Sequence, residues 1–243
     1  TSFLIYEGIT VYGGFNAVKP EATPEDRIVL DADGTTEKKM SEATGLKWRM
    51  KNTTILSGNH SSSSTDPMKW NSAKNEYDES FTGNSYHVVW FATNTSTHSS
   101  GLNDKNRGVA LAHTAGLDGF TIRDGNASNR TVPEESAGSH AYHNSYGGGV
   151  YMVGNTVLRN CIIRQNSSSL RGGGVYMDGG GLMEQCYVTQ NQSGGVGVTD
   201  GYGGGVACDD GGIVRHCLIE NNAARCGGGL SIAFSSQPDN DKE

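Results

Sequence analysis

GGGVYMVGNTVLRNCIIRQNSSS, residues 147–169, is followed by GGGVYMDGGGLMEQCYVTQNQS at 172–193 and GGGVACDDGGIVRHCLIENNAA at 203–224, and a fourth copy opens as GGGLSIAF at 227–234. A unit recurring at a near-constant period is the signature of a stacked repeat fold, in which each copy buries its apolar face against its neighbours. The Gly triplets begin at 147, 172, 203 and 227, a period of about 24–25 residues once the insertion GGVGVTDG at 194–201 is set aside. An older, weaker copy, GLDGFTIRDGNA at 116–127, precedes them across a polar insertion from about Ser128 to Tyr146.

Stacked as strands about 4.8 Å apart, the units turn each alignment column into a ladder. Phe120, Cys161, Cys186 and Cys217 share one column, and Ile122, Ile163, Val188 and Ile219 share the column two residues on, so both point inward. Leu117, Leu158, Met183 and Val214 form a third column, three residues earlier, which requires a bend before the cysteines. Asn166, Asn191 and Asn222 align five residues after each Cys, where stacked amides can pair from coil to coil. Arg159, Glu184 and Arg215 alternate in sign down an outward column, the order a stack favours. Gly triplets and β-branched runs disfavour a helical repeat.

The expected fold is therefore all-β, a single-stranded right-handed parallel β-helix with long polar loop insertions. It forms one domain over 1–243, with irregular coils over 1–115, regular Gly-rich coils over 116–234 and a polar tail over 235–243. In the irregular part, strand-like runs are expected at 9–15, 53–58, 85–92 and 108–112. Long polar loops are expected at about 16–51, 59–84 and 93–107.

Composition narrows the function classes. Gly is 35 of 243 residues and Pro only 5, which suits tight turns rather than collagen. Charged residues make up 19% and the net charge is −7, with no Lys/Arg cluster, so neither nucleic acid nor an anionic membrane is an expected partner. No apolar run is long enough to span a bilayer, and TSFLIYEGITVYGG at the start lacks the basic region and cleavage site of a signal peptide. The five cysteines include no CxxC pair, which disfavours structural zinc; a Cys208–Cys226 disulfide stays open.

The strings GITVYGGF (8–15), NTTILSGN (52–59), NSYHVV (84–89), GLDGFTIRDGNA and the GGGVYM units together resemble the secreted right-handed β-helix proteins of the pectin-lyase-like superfamily. Within it, the chain resembles the branch related to polymorphic outer-membrane protein repeats and adhesins. GGGV and CIIRQN stand where that branch carries GGAI and FxxN, so the kinship is one of architecture. The resemblance implies export, a secreted or cell-surface location and contact with a polysaccharide or cell-surface glycan. A scaffold that hosts lyases, hydrolases and adhesins alike does not fix the activity.

Two candidate sites follow. Asp178 and Asp209 share a column, with Asp210 beside them, so their carboxylates are expected roughly 5 Å apart. Such a pair shares a proton, binds Ca2+ or acts as a glycosidase-type couple, unless each Asp caps its own Asp-Gly turn. As a polysaccharide lyase or glycoside hydrolase the chain would use Asp178, Asp209 and Asp210, with a basic group from among Arg159, Arg164, Arg171 and Arg215, Arg215 being the one carried forward, and Ca2+ held by the three aspartates. Otherwise no cofactor is expected. The second candidate is aromatic: Tyr151, Tyr176, Trp70 and Tyr77, with Trp48 in a polar loop, are candidate contacts for sugar rings, and the alternative for Tyr151 and Tyr176, which share a column, is a structural ladder stacked on one face. His140 and His143 read as exposed loop residues. The favoured reading is a non-enzymatic, adhesin-like binding module; the rivals are the enzyme and a structural stalk segment of a larger surface protein, with further domains at either end.

Overall fold

A computed structural model describes residues 2–19, 22–59, 70–71, 76–77, 84–92, 114–127, 145–194 and 201–233. The chain is all-β, and its strands stack in parallel sheets, an arrangement consistent with a β-solenoid. Sheet 1 stacks Phe3–Tyr6, Val89–Ala92, Val150–Val153, Val175–Asp178, Val206–Asp209 and Leu230–Ala233. Sheet 2 stacks Thr10–Tyr12, Ala115–Asp118, Thr156–Arg159, Leu182–Glu184 and Ile213–Arg215. Sheet 3 stacks Thr54–Ser57, Phe120–Arg123, Ile162–Arg164, Tyr187–Thr189 and Leu218–Glu220, and the short sheet 4 stacks Asn126–Ala127, Ser167–Ser168 and Gln192–Ser193.

The units from Gly147 and Gly172 thus contribute one strand to each sheet in turn, the unit from Gly203 one to each of sheets 1 to 3, and the pairing follows the alignment columns residue for residue. Val150 pairs with Val175, which pairs with Val206, which pairs with Leu230. The interior is the sum of the inward columns, among them Met152 and Met177, Leu158 and Met183, and Ile163 and Val188, all fully buried.

Backbone conformation makes the corners. Asn160, Gln185 and His216, each just before a column cysteine, have φ of 52–54°, which turns the chain between sheets 2 and 3 and supplies the bend the spacing demanded. Gly172 opens its triplet at φ 61°, and a Cβ there would lie 2.3 Å from Val175 O, so only Gly fits. Gly173 is fixed by approach instead: its Cβ would meet Gln192 O at 2.3 Å.

The asparagine ladder forms as the columns require. Asn166 N and Nδ2 both donate to Asn191 Oδ1 at 3.0 Å. Asn191 repeats both bonds to Asn222 Oδ1 at 2.9 and 3.0 Å. On the outer surface Glu184 holds Arg159 on one side and Arg215 Nη2 on the other, the latter at 2.6 Å.

Three expectations need correcting. A strand at Phe3–Tyr6 precedes the first one read from the sequence, and its Ile5 is buried at 1% exposure. The stretch 16–51 is not merely a polar loop: Ile28–Leu30 pairs antiparallel with Glu37–Lys39, and Val29, Met40 and Ala43 form a small core of their own. Trp48, expected to be exposed, is 3% exposed and stacks on Tyr187 at 5.7 Å between ring centroids. The run 108–112 and His140 and His143 lie outside the described residues.

The insert over 16–51 is fastened to the stack by one buried cation. Arg27 is 1% exposed and donates to Gly13 O at 2.8 Å and to Asp118 Oδ1 at 2.9 Å, while Asn160 Nδ2 reaches the same oxygen at 2.9 Å. At the two ends of the stack, apolar side chains stand in water. Phe3, Leu4, Tyr12 and Ile55 on first strands, and Ile213, Leu218, Leu230 and Ile232 on last strands, are all exposed.

Candidate functional site

The outward face of sheet 1 gathers most of the chemistry. Tyr151 and Tyr176 occupy one outward column, rings 5.2 Å apart, and Asp178 and Asp209 pair directly two residues on. The shared columns therefore bring both sets together. Yet the tyrosines are 1% and 0% exposed and the aspartates 2% and 4%, so Tyr151 and Tyr176 form the buried structural ladder that their shared column allowed, not an exposed sugar contact.

Hydrogen bonds explain what the carboxylates do. Tyr151 Oη donates to Asp178 Oδ2 at 2.9 Å, and Tyr176 Oη donates to Asp209 Oδ2 at 2.8 Å, each phenol reaching into the next coil. Arg171 Nη1 adds an ion pair to Asp209 Oδ2 at 2.6 Å, and its guanidinium lies 5.5 Å from the ring centroid of Tyr202. Burial pulls the Arg171 pKa down, but the charge and hydrogen bond of Asp209, with smaller contributions from Tyr146 and Tyr176, together outweigh it and the net shift is upward. The basic partner of the acid pair is thus a permanent cation, unsuited to abstract a proton.

Arg215, one of the four arginines offered as base, lies in sheet 2 and binds Glu184, so it does not join the aspartates, whereas Arg171, another of the four, does. Asp210 is exposed at a turn with φ 57°. Oδ2 of each carboxylate in the Asp178–Asp209 pair already accepts a phenol hydrogen bond, and Oδ2 of Asp209 also pairs with the Arg171 cation. Among the described residues no group of three or more His, Cys, Asp or Glu side chains is arranged to hold a metal.

Sequence reasoning passed over His87, which completes this aromatic cluster. Its ring lies edge-on to Trp90 at 5.2 Å and to Tyr151 at 5.5 Å, and Nδ1 contacts Gly147 O at 2.9 Å. Burial pushes its pKa down to about 4. Tyr146 stacks on Tyr176 at 4.8 Å. The signal lay in NSYHVV, whose His precedes a strand that joins sheet 1.

A second, open place lies on the outward face of sheet 2. Thr10, Tyr12, Thr114, Gly116, Asp118, Val157 and Arg159 line a depression of about 90 Å3. Tyr12 is 43% exposed, and Arg27 lies 5.5 Å from its ring centroid. The small side of Gly116 makes the hollow: a Cβ there would sit 2.9 Å from Thr10 Oγ1.

No protein-family model, no curated protein and no solved structure matches this chain. Its function must therefore be argued from the geometry just described. Trp70 and Tyr77 face each other across a two-residue antiparallel pair, and their side chains lie outside the described residues. All five cysteines are free thiols, Cys208 buried and Cys226 exposed, so the open disulfide question resolves to two separate thiols.

Proposed function

We propose that the chain is a non-catalytic, right-handed parallel β-helix module of the cell exterior that binds a surface glycan on the outward face of sheet 2. The observation that carries this reading is the depression beside Tyr12: an exposed ring, two threonines, Thr10 and Thr114, and Arg159 line one hollow. A ring face and a few aimed polar groups are what a sugar unit needs. Export and carbohydrate contact are also what the pectin-lyase-like resemblance implies. The acid pair of sheet 1 gives little support to the lyase or hydrolase reading, since its carboxylates are buried and already bonded.

The test is a titration of the chain against arrays of neutral and acidic polysaccharides, with Tyr12→Ala and Arg159→Ala as variants. Binding that both substitutions weaken at least tenfold supports the reading. Release of unsaturated products from a uronate polymer in the presence of Ca2+ would restore the lyase. Wild-type chain that binds no glycan would leave the stalk reading, which the exposed apolar side chains on the first and last strands favour.

A further inference from the structure

Sheet 2 turns two side-chain columns outward, on either side of the inward column of Val11, Leu117 and Leu158. Thr10 pairs with Gly116, which pairs with Val157; two residues on, Tyr12 pairs with Asp118, which pairs with Arg159. Strands stacked about 4.8 Å apart thus set an aromatic residue, a carboxylate and a guanidinium in successive coils of one column. In the other column Gly116 has no side chain, and the gap it leaves between Thr10 and Val157 belongs to the hollow. A ligand lying in that gap has Asp118 beside it, with Tyr12 and Arg159 one coil to either side.

Both charges of this column are already matched. Asp118 Oδ1 accepts from Arg27 Nη2 and from Asn160 Nδ2, each at 2.9 Å. The two donors take that one oxygen, so among the described residues Oδ2 is left to whatever enters the hollow. Arg159 gives Nε to Glu184, and the terminal nitrogens of this half-exposed side chain remain as donors. Arg27 offsets the charge of Asp118, and Glu184 offsets that of Arg159. The chain as a whole carries −7, so an acidic polymer finds no net attraction here.

We infer that the ligand of this hollow is an uncharged sugar ring with hydroxyls on adjacent carbons, and that Asp118 sets this choice; the inference rests on the glycan-binding reading above. A hydroxyl both donates and accepts, so one donates to the Asp118 carboxylate while its neighbour accepts from Arg159. The carboxylate of a uronate only accepts and shares the charge of Asp118, so its entry sets like charges side by side. The ammonium of an amino sugar only donates and meets Arg159 in the same way. Tyr12, exposed beside the gap, offers its ring face to the sugar. A preference for neutral rings is the opposite of the acidic glycan that the lyase reading calls for.

The experiment is calorimetric titration of the protein with paired oligosaccharides of equal length that differ only in carrying a hydroxymethyl or a carboxylate: galactan against galacturonan, glucan against glucuronan, mannan against mannuronan. In at least one pair the neutral member should bind about tenfold or more tightly than its acidic partner, and added salt should leave that binding unchanged, since salt screens only charge. Asp118→Asn keeps the shape, removes the charge and adds a donor, so it should narrow the ratio within the pair about fivefold or more. Gly116→Ala leaves every charge in place and fills the gap, where a Cβ would sit 2.9 Å from Thr10 Oγ1, so it should weaken the neutral member about tenfold. That second variant keeps the test decisive if Asp118→Asn loosens the insert over 16–51, which limited proteolysis reports. Acidic members that bind as tightly as their neutral partners overturn the inference and leave the glycan-binding reading standing. Neutral binding that Gly116→Ala leaves unaltered does the same. If no member of any pair binds, the glycan-binding reading falls and takes the inference with it.

Discussion

The phenol of Tyr151 donates a hydrogen bond to Asp178 Oδ2 across one step of the stack, at 2.9 Å, and Tyr176 repeats the reach onto Asp209. The phenol always belongs to the earlier coil and the carboxylate to the later one. The pair that sequence offered as acid chemistry thereby becomes a tie between coils.

Removing that tie should cost stability rather than activity. A hydrogen bond to a charged group contributes about 1.5–3 kcal/mol, so Tyr176→Phe should lower the free energy of unfolding in urea by that amount. Millimolar Ca2+ should leave the melting temperature of the wild type unchanged. A rise of several degrees would show that the aspartates bind the ion after all.

His87 should make the fold acid-sensitive well above the carboxylate range. Its Nδ1 contacts Gly147 O, and Nε2 is buried with no hydrogen-bond partner, so protonation strands a charge. Burial lowers its pKa from 6.5 to about 4. The unfolded chain takes up a proton near pH 6.5 and the folded chain does not until about pH 4. Stability is therefore full above pH 6.5 and falls through this window, by about 3 kcal/mol at its lower end. His87→Phe should flatten that slope in urea titrations between pH 7 and 4.5, whatever it costs at neutral pH.

The two side-chain ladders should differ sharply in worth. Asn191 is fully buried and bonded to Asn166, Asn222 and the carbonyls of Ile163 and Thr189. Asn191→Ala strands several of these partners and should cost about 3 kcal/mol or more. Glu184→Gln breaks two surface ion pairs whose arginines are about half exposed, and should cost less than about 1 kcal/mol. Chemical unfolding of the two variants side by side checks the contrast.

Arg27 should hold the insert over 16–51 against the stack. Arg27→Met leaves Asp118 buried without its cation and should cost about 3–5 kcal/mol. Limited proteolysis should then cut within 16–51 before the Gly-rich coils. Adding Asp118→Asn should recover part of the loss, since the uncompensated charge is gone.

The regular coils were readable because a repeat reports its own register. Once Cys161, Cys186 and Cys217 are set in one column, strand pairing, the asparagine ladder and the alternating charges follow by translation alone. The insert was not readable, because the Arg27–Asp118 contact joins residues far apart in a stretch with no period. Its Val29, Met40 and Ala43 are too few to make a pattern. The acid pair was placed correctly and its burial was not foreseen, since columns state which residues are neighbours but not what lies over them. Tyr12 and Thr10 sat in GITVYGGF in plain view; what sequence lacked was the hollow that Gly116 leaves opposite them.

The exposed isoleucines and leucines on the last strands also set a direction for motion. Each coil is held chiefly by its two neighbours, so a coil whose apolar side chains stand exposed is held less firmly than one packed on both sides, and opening spreads from it coil by coil. Amide exchange along the chain should then read as a gradient. Ile213–Arg215 and Leu218–Glu220 would lose their protons early, and the strands around Val175 and Val188 would keep theirs longest, so that how fully a coil is packed on both sides sets a residue's lifetime more than its chemical type does.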